Sequence, residues 1–222
     1  MNLFDIIGPV MVGPSSSHTA GAVKIGYVAR KLMAEPVRKA EILLYGSFLA
    51  TGKGHGTDCA IVAGLLGMKP DDIRIPKSME YAKEAGMEVQ FGKARLKNGH
   101  PNSAVLNLVG VSGKTLSVVG ESLGGSLINI ASVDGRQANF SGERPTLIVH
   151  NKDIPGRVTY ITGVLSDLSI NIATMQLYRT GRGGNAVMII ECDEEIPKET
   201  LDLLKQEKGV ERLTYYSAKE DF

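Results

Sequence analysis

Four consecutive side chains near the start of the chain carry a hydroxyl or an imidazole: Ser15, Ser16, Ser17 and His18. A Gly-Pro pair precedes them and apolar residues then recur at helical spacing, which predicts a helix over 17–33 with the serines at its N-cap and first turn. Because a helix N-terminus carries unpaired N–H groups and a partial positive charge, hydroxyls beside it suit a carboxylate or a phosphate. His18 adds a group that transfers protons near neutral pH. The alternative is that one serine caps the helix and the others face solvent.

A second polar cluster spans residues 51–58 and contains Lys53 and His55 among three glycines. Glycine lets the backbone approach a ligand closely, so we interpret residues 46–56 as a long glycine-bearing loop. Thr57 or Asp58 then caps a predicted helix that runs to residue 66. For these two residues we favour capping over a catalytic role.

A third polar segment reads His100-Pro101-Asn102-Ser103 and follows an Asn-Gly turn signal. Its polar side chains either line the same cleft as the first two clusters or fix a turn. The residue types alone do not distinguish these two roles.

Three further kinds of site can be tested against these residues. A phosphate-binding loop needs four residues between its glycines and a Ser or Thr after its lysine; the segment ending at Lys53 has one residue too many and continues with glycine. A pyridoxal enzyme needs a Schiff-base lysine, for which Lys53 qualifies by residue type alone. A zinc site needs about three or four ligands, and His18, His55 and His100 lack paired-ligand spacing. The histidines are better suited to acid–base chemistry.

The composition is that of a soluble globular protein, with 43% hydrophobic and 22% charged residues in a chain of 222. A net charge of +1 provides no electrostatic basis for binding nucleic acid or an anionic membrane. No apolar run approaches the ~20 residues of a membrane helix, and the first residues lack the pattern of a signal peptide. We therefore expect a cytoplasmic protein.

The first part of the chain predicts a mixed α+β domain with a run of antiparallel strands. Predicted strands cover residues 40–45, 73–75, 88–96, 104–111, 114–121, 127–133 and 136–140, and a short helix covers 79–85. Between two of these strands, Gly124-Gly125 is either a bend between hairpins or a point where the backbone approaches a ligand, and we favour the bend.

The last part of the chain predicts a second domain. Predicted strands cover 146–151, 171–179, 185–193 and 210–216, and predicted helices cover 156–168 and 197–208. This order is the βαββαβ arrangement, with two helices on one face of a four-stranded antiparallel sheet. We therefore expect a first domain over 1–141, a linker over 142–145 and a second domain over 146–222.

Three motifs together, GPSSSHT from residue 13, GKGHGTD from residue 52 and HPNS from residue 100, resemble the beta part of the iron–sulfur-dependent L-serine dehydratases. The resemblance implies a domain of the serine dehydratase beta type, similar to the allosteric substrate-binding domain. It implies the conversion of L-serine to pyruvate and ammonia together with an alpha subunit. The catalytic residues that it implies are His18, His55 and Lys53. The implied substrate-binding residues are Ser15, Ser16, Ser17, Thr19, His100 and Asn102. Which histidine is the base stays open.

The resemblance also implies a 4Fe-4S cluster, whose ligands we expect in the alpha subunit. Such a cluster takes about three or four cysteine thiolates, whereas this chain has only Cys59 and Cys192. We therefore expect no metal ligand in this chain. Two cysteines also fit a reducing compartment without a disulfide framework.

The segment from Asn151 to Gly156, together with Ile170 to Met175 and the glycine-rich turn that follows, resembles an ACT domain. Such domains bind small amino acids between paired copies, which implies homodimerisation through this domain. The effector-binding residues that the resemblance implies are Asn151, Asp153, Gly156, Asn171 and Ile172. The alternative is a packing or dimerisation module without a ligand.

A hypothesis of a different class is an amino-acid-sensing regulatory module that catalyses nothing itself. Domains similar to the first one occur beside an ACT domain in a serine-pathway dehydrogenase, where they bind effectors. On this hypothesis the serine-rich motif binds an effector and transfers no proton.

Overall fold

The computed structural model describes residues 10–219, which form two compact units. The division falls between Gly135 and Arg136; the boundary drawn from the sequence at 142–145 stays a prediction. Within the described residues, no helix has both the length and the apolar character needed to cross a membrane.

The first unit combines helices with a sheet, as expected from the mixed pattern. Its helices after the opening turn are α1 (Ala22–Met33), α2 (Gly46–His55), α3 (Thr57–Leu65) and α4 (Ser78–Glu84). Its strands are β1 (Val37–Tyr45), β2 (Glu88–Lys93), β3 (Asn102–Gly110), β4 (Thr115–Gly124) and β5 (Leu127–Val133).

The strands of this unit lie in the order β2-β1-β3-β4-β5. Pairing from β1 through β5 is antiparallel, which confirms the predicted run of antiparallel strands, whereas β2 runs parallel to β1. A parallel pair needs a long crossover, which α2, α3 and α4 provide. Alternate residues of β1, Ala40, Ile42 and Leu44, are buried, so one face of the sheet packs into the core.

Helices α1 and α3 cross at a pair of glycines. A Cβ at Gly26 would lie 2.2 Å from the Ile61 carbonyl oxygen, and one at Gly64 would lie 2.1 Å from the Val23 carbonyl oxygen. No residue larger than glycine fits this close approach without a backbone shift. The crossing therefore sets the spacing between the two helices whose N-terminal ends adjoin the first two polar motifs.

The interpretation of residues 46–56 as a loop is wrong, since Gly46–His55 is helical. Glycine disfavours a helix by roughly 0.5–1 kcal/mol per residue, but tertiary contacts outweigh that cost here. Phe48 is fully buried, and the Pro101 carbonyl accepts the backbone N–H of Ser47 at 2.7 Å.

Two smaller predictions are also wrong. The predicted strand over 73–75 is instead a turn followed by a 3₁₀ turn at Ile75–Lys77. Neither Thr57 nor Asp58 caps α3, because the N-cap is Gly56 in the left-handed region and no side chain bonds the helix end there. The Asp58 carboxylate accepts the N–H of Cys59 instead.

The second unit has the predicted βαββαβ order. After β6 (Arg136–Phe140) come β7 (Thr146–Lys152), α5 (Arg157–Asp167), β8 (Ile172–Arg179), β9 (Asn185–Cys192), α6 (Lys198–Gln206) and β10 (Val210–Tyr216). Strands β7 to β10 form an antiparallel sheet in the order β10-β7-β9-β8. The apolar core of this unit includes Ile161 and Leu165 of α5, Leu204 of α6, and Val149 and Ile190 of the sheet, so both helices cover one face.

Candidate active site

The serine-rich motif forms a π-helical turn, Ser16–Gly21, that leads directly into α1. Ser15 is the N-cap, and its hydroxyl oxygen accepts the backbone N–H of His18 at 3.1 Å. The serines therefore lie at the N-cap and first turn of a helix, as predicted. The π geometry differs from the expected α-helical turn and is rare, occurring mostly as single turns at functional sites.

The His18 ring is held by hydroxyl groups on both sides. Ser47 Oγ and Thr51 Oγ1 each lie 3.1 Å from His18 Nε2. Thr51 Oγ1 also donates to the Ser47 carbonyl oxygen at 3.0 Å, because a carbonyl oxygen can only accept. With its one proton used, Thr51 accepts from His18 Nε2–H. The neutral ring therefore directs the lone pair of Nδ1 toward the Ser15 hydroxyl, 3.4 Å away.

His55 lies beside His18, with ring centroids 4.8 Å apart. Its Nδ1 is 3.1 Å from the Thr51 carbonyl oxygen, so Nδ1 carries the proton in the neutral ring. The other nitrogen, Nε2, then holds a lone pair, and within residues 10–219 the His55 side chain makes no other hydrogen bond. Among the ring nitrogens of this pair, His55 Nε2 is thus the one left with an uncommitted lone pair.

Helix α2 brings three of these groups together at intervals of four residues. Ser47, Thr51 and His55 lie on the face that contacts His18. Phe48, fully buried beside them, meets the His18 ring edge-on at 5.3 Å between centroids. Sequence reasoning missed Ser47 and Thr51 as site residues. The signal that could have found them is the Ser-x₃-Thr-x₃-His spacing, which has meaning only when the segment is read as a helix.

The pKa of His18 is lowered from its ordinary value, first by partial burial and then by the charge of His55. A hydrogen bond with Ser47 opposes part of this shift. Burial and a neighbouring like charge both disfavour the protonated imidazole. His18 is therefore neutral at pH 7.

The third motif is attached to the first two by hydrogen bonds. The Pro101 carbonyl accepts the N–H of Ser47 at the start of α2. The Asn102 amide donates to the Ser122 carbonyl at 3.4 Å, and the Ser122 hydroxyl donates to the Ser17 carbonyl at 2.9 Å. His100 Nδ1 accepts the N–H of Asn102, a contact that stabilises the local turn.

The remaining candidate residues differ in what they contact. Thr19 is buried, and its hydroxyl donates to the His55 carbonyl at 3.3 Å. Lys53 is exposed on α2. The side chains of Ser16, Ser17 and Lys53 make no hydrogen bond or ion pair with any residue in 10–219. Their polar groups are therefore available to a ligand, whereas those of Ser15 and Thr19 hold the two histidines in place.

Comparison with known proteins places this chain in a family. The serine dehydratase beta chain family matches residues 2–100. The chain is 39% identical over 213 residues to the probable L-serine dehydratase beta chain of Bacillus subtilis (strain 168), covering 96% of each protein. It is 38% identical over 212 residues to the L-serine dehydratase beta chain of Peptoniphilus asaccharolyticus, covering 95% of this chain and 94% of that one.

The chain belongs to the L-serine dehydratase beta-chain family. In addition, the ACT domain family matches residues 145–209, within the second unit. A third relative is D-3-phosphoglycerate dehydrogenase of Methanocaldococcus jannaschii. That protein is 27% identical over 187 residues, which are 83% of this chain and 35% of its own length.

The residues of this beta chain do not fit an iron–sulfur cluster of its own. Among residues 10–219, no group of three or more His, Cys, Asp or Glu side chains is close enough to hold a metal ion. Burial, followed by the charge of Asp58, raises the pKa of the Cys59 thiol. Burial also raises the pKa of Cys192 to about 11. The chain has only these two cysteines, whereas a cluster needs about three or four cysteine ligands.

In the ACT domain of this beta chain, the predicted effector residues separate into two groups. Asn151, Asp153 and Gly156 lie where β7 passes into α5, at the end of the sheet where Asn151 pairs with Ala186. Ile172, which follows Asn171, pairs with Cys192 at the opposite end of β9. A sheet of this length separates the groups by roughly 20 Å, so a single copy does not bring them together.

Most of the polar groups in the two sets are engaged within the chain. The Asp153 carboxylate accepts from Arg179 at 3.1 Å and from the Gly183 N–H at 3.3 Å. The Asn171 amide donates to Asp193 at 2.6 Å. Asn151 is buried with its side-chain oxygen unpartnered among residues 10–219. An effector at either set must therefore replace existing contacts or meet Asn151.

Proposed function

We propose that this chain is the beta subunit of an iron–sulfur-dependent L-serine ammonia-lyase, which converts L-serine to pyruvate and ammonia with a cluster-bearing alpha subunit. The observation that carries the proposal is the pairing of the His18 ring of GPSSSHT with the His55 ring of GKGHGTD, beside which HPNS is hydrogen-bonded to α2 and, through Ser122, to the backbone of Ser17. The names of the two relatives that match nearly the whole chain support the reaction class and the need for a second subunit.

Serine dehydration removes a weakly acidic Cα proton and expels a poor leaving group, hydroxide. A 4Fe-4S cluster, whose ligands we place in the alpha subunit, would supply a Lewis acid for the departing hydroxyl. This chain contributes the proton acceptor and the residues that bind the amino acid. The resulting enamine tautomerises and hydrolyses to pyruvate and ammonia.

We assign proton abstraction to His55 Nε2. Its ring is oriented by the Nδ1–H bond to the Thr51 carbonyl, which fixes the tautomer in the way a catalytic base requires. Thr19 supports the backbone of the same residue. His18 lies against that ring as a neutral imidazole, so it adds no competing positive charge.

We assign carboxylate binding to the mouth of the π turn. The hydroxyls of Ser16 and Ser17 have no partner within residues 10–219, and helix-mouth N–H groups favour an anion. Lys53 adds a point charge, which suits a carboxylate. Asn102 borders the site through the hydrogen bond from its amide to the Ser122 carbonyl. His100 lies beside it and accepts the N–H of Asn102.

Reconstitution with the alpha subunit tests this proposal. The purified chain is mixed anaerobically with its partner and pyruvate formation from L-serine is measured, with each subunit alone as a control. We expect activity only from the mixture, and a loss of at least 100-fold in kcat for His55→Gln. Lys77→Gln, an exposed change outside the site, should retain wild-type kcat. Pyruvate formation by this chain alone would refute the proposal.

A second candidate function is an amino-acid-sensing module without catalysis. The match to a D-3-phosphoglycerate dehydrogenase over 187 residues favours it, because that relative is not a dehydratase by name. His18→Ala in the reconstituted complex separates the two. A collapse of turnover at saturating serine supports catalysis, whereas weaker serine binding with unchanged kcat supports a regulatory site.

We further propose that the ACT domain binds a small amino acid between two copies of the chain. Strand β8 is at the edge of its sheet. Antiparallel pairing of β8 with a second copy would set the Asn171 end of one strand beside the Arg179 end of the other. That arrangement brings together the two groups of effector residues that one copy keeps apart. The two free thiols also suit the reducing cytoplasm, where we place the enzyme.

A further inference from the structure

The turn between β4 and β5, Gly124-Gly125-Ser126, has an unusual backbone. All three residues have positive φ, at 99°, 58° and 65°. For Ser126 this conformation is strained, because a side chain disfavours the left-handed region. Ser126 is nevertheless only 7% exposed, so a buried serine is kept where glycine would be less strained.

This turn adjoins the candidate active site. A Cβ built on Gly124 would lie 3.7 Å from the hydroxyl oxygen of Ser17. Two residues before it, Ser122 donates to the Ser17 carbonyl at 2.9 Å and accepts from the Asn102 amide. The strand end is thus hydrogen-bonded to the π turn, and Gly124 lies close enough to Ser17 that a side chain at 124 would touch its hydroxyl.

The polar groups at this junction are hydrogen-bond donors without a carboxylate partner. The Ser126 and Ser17 hydroxyls make no hydrogen bond with any residue in 10–219. The nearest acidic residue of the strand, Glu121, accepts from Asn129 and alternates to the other face of the sheet. Uncommitted donors with no local acid suit a carboxylate oxygen of a ligand.

We propose that the β4–β5 turn is a wall of the substrate site and that Ser126 and Ser17 bind the substrate carboxylate. This inference depends on the proposed function for the identity of the substrate, L-serine. It adds Ser126 to the proposed binding residues and explains why a residue without a side chain occupies position 124. A methyl group at 124 would contact the Ser17 hydroxyl, where the proposal places an oxygen of the substrate carboxylate.

Ser126→Gly in the reconstituted complex tests the role of the hydroxyl. The variant removes the hydroxyl and the strain together, so the melting temperature should stay the same or rise. We expect KM for L-serine to rise about tenfold, because one hydrogen bond to a charged group is lost, with kcat within about twofold. A serine kept only for packing would leave KM unchanged, and that result would overturn the inference.

Gly124→Ala and Gly113→Ala form a matched pair for the wall itself. Both glycines lie in hairpin turns of the same sheet, with φ of 99° and 87°, and a Cβ at Gly113 would meet nothing within 4 Å. Both variants should lower the melting temperature similarly through backbone strain. Only Gly124→Ala should raise KM; equal KM values in the two variants would contradict the inference.

Calorimetric titration of the same complexes with L-serine distinguishes this inference from the proposed function. If the wild type binds serine but forms no pyruvate, the proposed reaction is refuted. A higher Kd for serine in Ser126→Gly would still support the role of the β4–β5 turn in binding. If the wild type is active and both Ser126→Gly and Gly124→Ala bind serine as tightly as Gly113→Ala, the role of the β4–β5 turn in binding is refuted and the proposed function stands. A wild-type complex that binds no serine refutes both.

Discussion

At the scale of single residues, the two histidines are distinguished by what their nitrogens contact. Thr51 participates in both contacts: its hydroxyl accepts from His18 Nε2, and its carbonyl accepts from His55 Nδ1. The pair is therefore ordered by one threonine, and each ring has a defined neutral tautomer. This ordering is the basis on which we propose His55 as the base, a choice that the residue types left open.

Removal of the His55 imidazole should raise the pKa of His18. The charge of His55 is the second cause that lowers this pKa, after burial, and His55→Gln removes it. Following the His18 ring protons by NMR across pH 4–9 measures the change in the isolated chain. His18 should become protonated at higher pH in His55→Gln than in the wild type. His100→Gln is the matched control and should leave the pKa of His18 unchanged; an equal shift in both variants would contradict the assigned cause.

Two neighbouring serines should respond differently to the same substitution. Ser15→Ala removes an N-cap and the hydroxyl beside His18 Nδ1, so we expect the free energy of unfolding to fall by about 1 kcal/mol. Ser17→Ala removes a hydroxyl without a partner among residues 10–219 and should change stability by less than about 0.5 kcal/mol, while raising KM for serine. Urea unfolding measures the change in stability, and steady-state kinetics measure the change in KM. A larger loss of stability in Ser17→Ala and a larger rise of KM in Ser15→Ala would contradict the roles given to the two residues.

At the scale of elements, the position of the site depends on helix α2 and on the crossing of α1 with α3. Local propensity predicted a loop over residues 46–56 because four glycines lie there. The structure forms a helix because Phe48 is buried and Pro101 bonds its N-terminus. Contacts of this kind join residues about 50 positions apart, so a reading of local pattern cannot find them.

Gly64→Ala should destabilise the first unit by about 1–3 kcal/mol, because its Cβ would overlap the Val23 carbonyl oxygen. Gly54→Ala makes the same change in α2, where a Cβ would meet nothing within 4 Å, and should stabilise by up to about 1 kcal/mol. Urea unfolding of both variants tests the close crossing. A Gly64→Ala variant as stable as the wild type would show that the two helices can separate at little cost.

The elements with a clear two-residue or helical period were predicted well. Strands 127–133, 136–140 and 210–216 have the same bounds in the structure, since alternating burial and strong turn residues determine them locally. The predicted strand over 88–96 is shorter, ending at Lys93, and pairs parallel with β1. Pairing direction depends on the crossover, which the strand's own residues do not encode.

At the scale of the whole molecule, the proposed pairing of two copies through β8 makes a prediction about assembly. Leu177 on β8 is 46% exposed, and Leu203 on α6 is 53% exposed. If β8 edges pair, Leu177→Lys should shift the chain from dimer to monomer by placing like charges at the interface, whereas Leu203→Lys should leave it dimeric. Light scattering after size-exclusion chromatography measures the mass. A wild-type monomer, or a dimer unaffected by Leu177→Lys, would contradict the pairing.

The sequence by itself determined the family, the order of elements in the second unit and the three motifs of the candidate site. These depend on residue type and short-range spacing, which are properties of the chain before it folds. Only the tertiary structure showed that Ser47 and Thr51 contact the His18 ring, that the hydroxyls of Ser15 and Thr19 bond within the chain, and that Gly124 lies near Ser17. The physical reason is that most of these hydrogen bonds join residues far apart in the sequence. Which of them become neighbours depends on how all the helices and strands of the unit pack together, and no short segment encodes that.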